Sequence, residues 1–178
     1  MWTSRSGASS LALLAFALCC ALVGCSNTGT AQEASRGPAG TVTEAGSVPV
    51  FALQEGDCID EPDLAGADDG AGFTELRAVP CSAEHTAEVI GVDRSAFDAA
   101  ASYPGDDQVA QLASDACEAR LEQYTQIAAA SGGFDVIALF PTATSWVQAN
   151  DRGVACLGMT VSEATGEAQS STGSIKAR

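Results

Sequence analysis

Basic residues are scarce in this chain. Its 178 residues carry 8 Lys plus Arg against 23 Asp plus Glu, a formal net charge of −15. Phosphate contacts need clustered Lys and Arg, so nucleic acid is not expected as a partner. The same imbalance opposes adhesion of the protein surface to anionic lipid headgroups. Histidine occurs once, at position 85, and no Cys-x2-Cys spacing is present, so zinc lacks its usual ligand pattern. Gly-x-Ser-x-Gly, phosphate-loop and Gly-x-Gly-x-x-Gly motifs are absent as well, which leaves no catalytic signature and no expected cofactor or metal. There are no internal repeats.

No apolar run reaches the length of a membrane span either. The longest, Leu11 to Val23, is too short for a hydrocarbon core roughly 30 Å thick. Arg5 precedes it, and the run ends in Leu22-Val23-Gly24-Cys25, which resembles the lipobox of a bacterial lipoprotein signal peptide. That resemblance implies cleavage of residues 1–24 and a diacylglyceryl group on Cys25, with Gly24 small enough for the cleavage site. Two acyl chains suffice for stable anchoring. The expected address is the extracytoplasmic face of a cell membrane, with the lipid on Cys25 as the membrane contact.

With Cys19 and Cys20 in the signal segment and Cys25 committed to lipid, Cys58, Cys81, Cys117 and Cys156 remain for the folded part. An even count in an oxidising compartment reads as two disulfides, for which sequence allows three connectivities. Cys58 with Cys81 and Cys117 with Cys156 is the preferred set, because each pair closes a loop between neighbouring segments able to pack together.

Residues 25–47 are dominated by Gly, Ser, Thr and Ala and read as a lipidated flexible tether. Residues 162–178 read as a disordered polar tail for the same reason. Between them, residues 48–161 form one expected domain. Pro49 to Leu53, Leu76 to Cys81 and Ala87 to Asp93 are short apolar runs suited to strands. After Asp106-Asp107, which favour a helix N-terminus, Val109, Leu112, Ala113, Ala116, Cys117, Leu121, Tyr124, Ile127 and Ala128 recur at helical spacing. Ser131-Gly132-Gly133 reads as the helix stop. A buried strand is expected from Phe134 to Phe140, and a hairpin pairing Ser145 to Ala149 with Val154 to Val161 around Asn150 to Gly153. The fold class is α+β: a small disulfide-stapled domain of largely antiparallel sheet with one long amphipathic helix.

The landmark series Gly56-Asp57-Cys58, Val79-Pro80-Cys81, His85, Glu88-Val89, Cys117, Pro141, Ser145-Trp146, Asp151-Arg152 and Cys156 resembles the actinobacterial septum formation-related domain, over roughly residues 51 to 158. Asn150 and the spacing after Trp146 depart from that pattern. The resemblance implies an envelope role connected with division septa, in proteins that are secreted, lipid-anchored or tethered to a membrane.

His85 lies four residues after Cys81, and a nearby imidazole can generate a thiolate nucleophile. A disulfide at Cys81 is the favoured use of that residue, with His85 as a turn or hydrogen-bonding group between Glu84 and Glu88. Asp57, Asp60, Glu61, Asp63, Asp68 and Asp69 crowd the first disulfide loop, yet without the spacing of a calcium loop they read as a solvated acidic segment. Trp146, Asp151, Arg152 and His85 are the candidate recognition residues, since Trp and Arg most often carry binding energy. A non-enzymatic, lipid-anchored protein that binds or scaffolds an envelope protein or cell-wall component is therefore expected. An envelope thiol enzyme or redox protein using Cys81 and His85 is the alternative.

Overall fold

Two strands form the centre of the molecule because almost every residue in them is apolar or small. β6 (Ala87–Asp93) and β8 (Val154–Val161) pair antiparallel, and runs of this kind suit strands covered on both faces. The computed structural model describes residues 32–61, 64, 73–127 and 132–176. The other described elements are β1 (Ser35–Arg36), β2 (Val42–Glu44), β3 (Gly46–Pro49), β4 (Cys58–Ile59), β5 (Glu75–Val79), α1 (Asp106–Thr125), β7 (Phe134–Leu139), α2 (Ala143–Gln148) and β9 (Ala168–Gln169). The main sheet runs β3-β5-β4-β6-β8-β7, with β9 also on β8, and every pairing in it is antiparallel. An α+β domain with one long helix and a mostly antiparallel sheet is thus observed.

Helix α1 covers one face of the sheet. Its stripe Val109, Ala113, Cys117, Leu121 and Tyr124 is buried, the last four packing with Ile90, Val154 and Cys156. Leu112 and Ile127 lie at the margins of the stripe and are 48% and 41% exposed. Gly105 occupies the N-cap with φ 107°, so Asp106 and Asp107 fall in the first turn, where they face the positive end of the helix dipole. The helix stops earlier than the Gly pair suggested, on Gln126 in a left-handed conformation. On the opposite face, Val42, Val48, Leu53, Leu64 and Leu76 close over Val89, Ala155, Leu157 and Met159.

Both expected disulfides form: Cys58 with Cys81 and Cys117 with Cys156, each with Cα atoms 5.2 Å apart. The first ties β4 to the turn after β5, and the second ties α1 to β8.

Five expectations differ from the structure. Pro49 to Leu53, read as a strand, leaves β3 at Pro49 and turns through a short 3-10 helix over Val50–Ala52, and β7, read as buried, is only partly covered. Residues 32–47, read as tether, form β1, β2 and the start of β3, because Val42 and Val48 find apolar cover and Arg36 finds a buried partner. Residues 162–176, read as disordered tail, include β9 and a strap bonded back to β6. Ser145 to Ala149, read as a hairpin strand, belongs to α2, where the Thr142 and Ser145 side chains and backbones cap each other reciprocally. The signal segment, Cys25 and the acidic positions Asp63, Asp68 and Asp69 lie outside the described residues.

Candidate functional site

Each of the five arginines among the described residues donates to a carboxylate or carbonyl of the same domain. Arg36 forms a two-pronged pair with Asp57 at 2.5 and 2.7 Å, and that hydrogen bond raises its pKa against the cost of burial. Asp57 also accepts from Gln54 N at 2.8 Å, so this carboxylate is a buried anchor and not part of a solvated loop. Arg77 meets Asp60 at 3.4 Å. Arg94 donates to the Phe51 and Leu53 carbonyls, and Arg120 to Ile90 O and Glu55. With these cations committed, the surface keeps an acidic excess.

Arg152 is the most enclosed of them. Its guanidinium donates to the carbonyls of Asp98, Trp146, Asp151 and Ala99 at 2.7–3.4 Å and lies 3.8 Å from the Trp146 ring centroid. Trp146 in turn packs on Phe97 and Tyr103 and donates Nε1–H to Ala101 O. Asp151 accepts from Ser145 Oγ and Gly153 N. Trp146 and Arg152 are 4% and 8% exposed. The expected recognition trio is therefore a buried clamp that fixes α2 and the 94–103 loop, and its ring atoms are not a free surface.

What the clamp supports is open. A groove of about 1250 Å³ runs beside the C-terminal half of β7, bounded by Phe51 and Phe73 on one side and by the start of α1 and α2 on the other. Its apolar floor comes from Ile137, Leu139 and Phe140, each partly exposed. Among the described residues β7 pairs only with β8, so its outer backbone edge is available to another extended chain. Asp106, Asp107 and Asp151 line the same groove. Tyr103 stands there too; burial, then a hydrogen bond to Asp106, pushes its pKa up to about 12, so its hydroxyl stays a donor at neutral pH. Sequence periodicity marked β7 as a strand but carried no sign that it would be an edge.

In the Cys-His alternative the thiol is bridged and the imidazole is buried. Cys81 is joined to Cys58, which leaves no thiolate. His85 is 1% exposed, with Nδ1 2.9 Å from Ala83 O and Nε2 without a hydrogen-bond partner among the described residues. Glu88, expected beside His85, points instead to Tyr124 and the C-terminal segment. Among the described residues no three His, Cys, Asp or Glu side chains converge as metal ligands, and no helix is long and apolar enough to cross a membrane.

The architecture is that of a small α+β domain tied by two disulfides, with a groove beside β7. The profile of the septum formation family matches residues 19–178, and the chain belongs to that family. A role related to septum formation follows. The family is not known as a family of enzymes. Comparison with curated proteins and with solved structures finds no significant match.

Proposed function

We propose that this protein is a lipid-anchored, extracytoplasmic module that holds a partner at the division septum and performs no chemistry on it. The observation that carries the reading is the β7 groove: a strand edge unpaired among the described residues, beside partly exposed apolar side chains. Backbone hydrogen bonds at such an edge supply affinity, and pockets for alternate side chains supply specificity. The two disulfides suit an oxidising compartment, and the lipobox-like Leu22 to Cys25 supplies the anchor. Carboxylates at the groove rim favour a partner segment carrying positive charge.

The test is localisation of a fluorescent fusion through the division cycle, compared with Ile137→Asp in the same background. Septal enrichment of the parent is expected. The variant, at equal abundance and with its melting temperature unchanged, should spread around the envelope. Uniform signal from the parent at every stage would remove the septal reading, and equal enrichment of the two would remove the groove.

A further inference from the structure

Residues 168–176 form a strap whose contacts are those of a bound peptide. β9 pairs with the end of β8, after which Ser171 exchanges two backbone hydrogen bonds with His85, at 3.0 and 2.9 Å. Gly173 N then donates to Cys81 O at 2.6 Å. Beneath the strap lies Glu88, an ionisable residue 1% exposed at the second position of the largely apolar β6. Its Oε1 accepts from Tyr124 Oη and Ser174 Oγ, each at 2.7 Å, and its Oε2 accepts from Ile175 N at 2.7 Å. Two of those three donors come from the strap.

The next two residues fit just as closely. Ile175 reaches Gly158, where an added Cβ would stand 2.9 Å from Ile175 Cδ1, so a side chain there would block the seat. Lys176, the sole lysine of the chain, sits 3.1 Å from Glu55 and 4.9 Å from the Tyr124 ring centroid. Burial of Glu55 opposes its charge, but Lys176 and Arg120 outweigh that and hold its carboxyl below the ordinary range.

The strap adds one apolar side chain to the core, Ile175, while Ser171, Thr172, Gly173 and Ser174 are small or polar. A buried carboxylate without donors costs several kcal/mol, so a cleft built around Glu88 demands a donor-rich occupant. We propose that the cleft between α1 and β6 is a peptide-recognition site for an extended partner segment reading hydroxyl residue, aliphatic residue, then Lys or Arg, and that the strap fills it in cis until the partner displaces it. Two copies, each with net charge −15, repel one another, whereas a cationic partner is drawn to the cleft. This site is distinct from the β7 groove and does not depend on it.

The test is fluorescence anisotropy with a labelled peptide of residues 170–178, titrated with the full chain and with a variant ending at Gln169. A tethered ligand competes at an effective concentration in the millimolar range, so the shortened chain should bind at least about 10-fold more tightly than the full one. A peptide carrying Lys176→Glu should lose that binding. A folded shortened chain that ignores the peptide, or binds it no better than the full chain does, overturns the proposal. If the shortened chain does not fold, a protease site placed in the 163–167 turn of the full chain severs the strap in place. Replacement of the severed strap by labelled peptide then supports the proposal, and its retention against excess peptide overturns it. A dimer with exchanged straps overturns the partner assignment in favour of a second copy.

Discussion

Replacing Arg152 with Ala should be among the most damaging single changes in the protein. The guanidinium serves four backbone carbonyls and stacks 3.8 Å from the Trp146 centroid while 8% exposed. Its two shorter bonds, 2.7 Å to Asp151 O and 3.0 Å to Trp146 O, are charge-assisted. Bonds of that kind contribute about 1.5–3 kcal/mol each, and a desolvated cation–π contact about 2 kcal/mol. Because these groups act together and the buried charge carries its own desolvation cost, the sum overstates the effect; a loss of about 4 kcal/mol is expected. That is a large part of the ~5–15 kcal/mol available to a domain. Urea titration of a soluble chain beginning at Ser26, followed by the fluorescence of its one tryptophan, Trp146, measures it. With m near ~2 kcal/mol/M the midpoint should fall by about 2 M. Arg152→Lys should recover little, because an ammonium can neither fork across several carbonyls nor stack as a planar group. A midpoint shift of Arg152→Ala below about 0.5 M at unchanged m would refute the claim that the clamp holds α2 and the 94–103 loop together.

The disulfides close separations of 23 and 39 residues, so Cys58→Ser with Cys81→Ser, or Cys117→Ser with Cys156→Ser, should each cost about 3–4 kcal/mol in the chain-entropy account. Mass spectrometry should show four added alkyl groups in a soluble chain beginning at Ser26 only after reduction; labelling without reduction contradicts the pairing. Burial raises the Tyr124 pKa above its ordinary 10.0, with the hydrogen bond to Glu88 second. A raised folded pKa gives stability that is complete below the unfolded value and lost as pH climbs past it. Melting temperatures should therefore drop from about pH 10 upward, and Tyr124→Phe should flatten that drop; an unchanged profile in the variant defeats the assignment.

Much of the fold was legible because it is local. The three-and-four spacing of Val109, Ala113, Cys117, Leu121 and Tyr124 defines one face of α1 without reference to the rest of the chain, and Cys117 on that face faces a strand cysteine. What escaped is non-local or polar. Arg36 looks like a linker residue until Asp57, 21 positions away, is seen buried beneath it. Ser174 and Ile175 reach Glu88 across 86 and 87 residues, and no periodicity reports such a bond. The signal that could have been used was Glu88 itself, a charged residue inside Ala87–Asp93, where every neighbour through Val92 is apolar or Gly. Ser145 to Ala149 misled because Trp146 and Val147 favour strands, while the decisive feature was the cap formed by Thr142 and Ser145.

Arg36, Arg77, Arg94, Arg120 and Arg152 each bond to a carboxylate or carbonyl of the same domain, so its cations are spent on holding loops to the sheet. The carboxylates outnumber them and keep a field that draws basic segments and repels further copies of the chain. Such a field sets encounter rate more than affinity, so affinity must come from shaped surfaces. In the proposed reading the β7 edge, unpaired among the described residues, offers backbone beside apolar side chains, and the α1–β6 cleft offers Glu88, which accepts from a hydroxyl and an amide of the strap while Lys176 pairs with Glu55. The fold thus uses charge of both signs inside, with Arg36 paired to Asp57, Arg152 on backbone carbonyls and Glu88 beneath Tyr124, while the carboxylates in excess set the surface field.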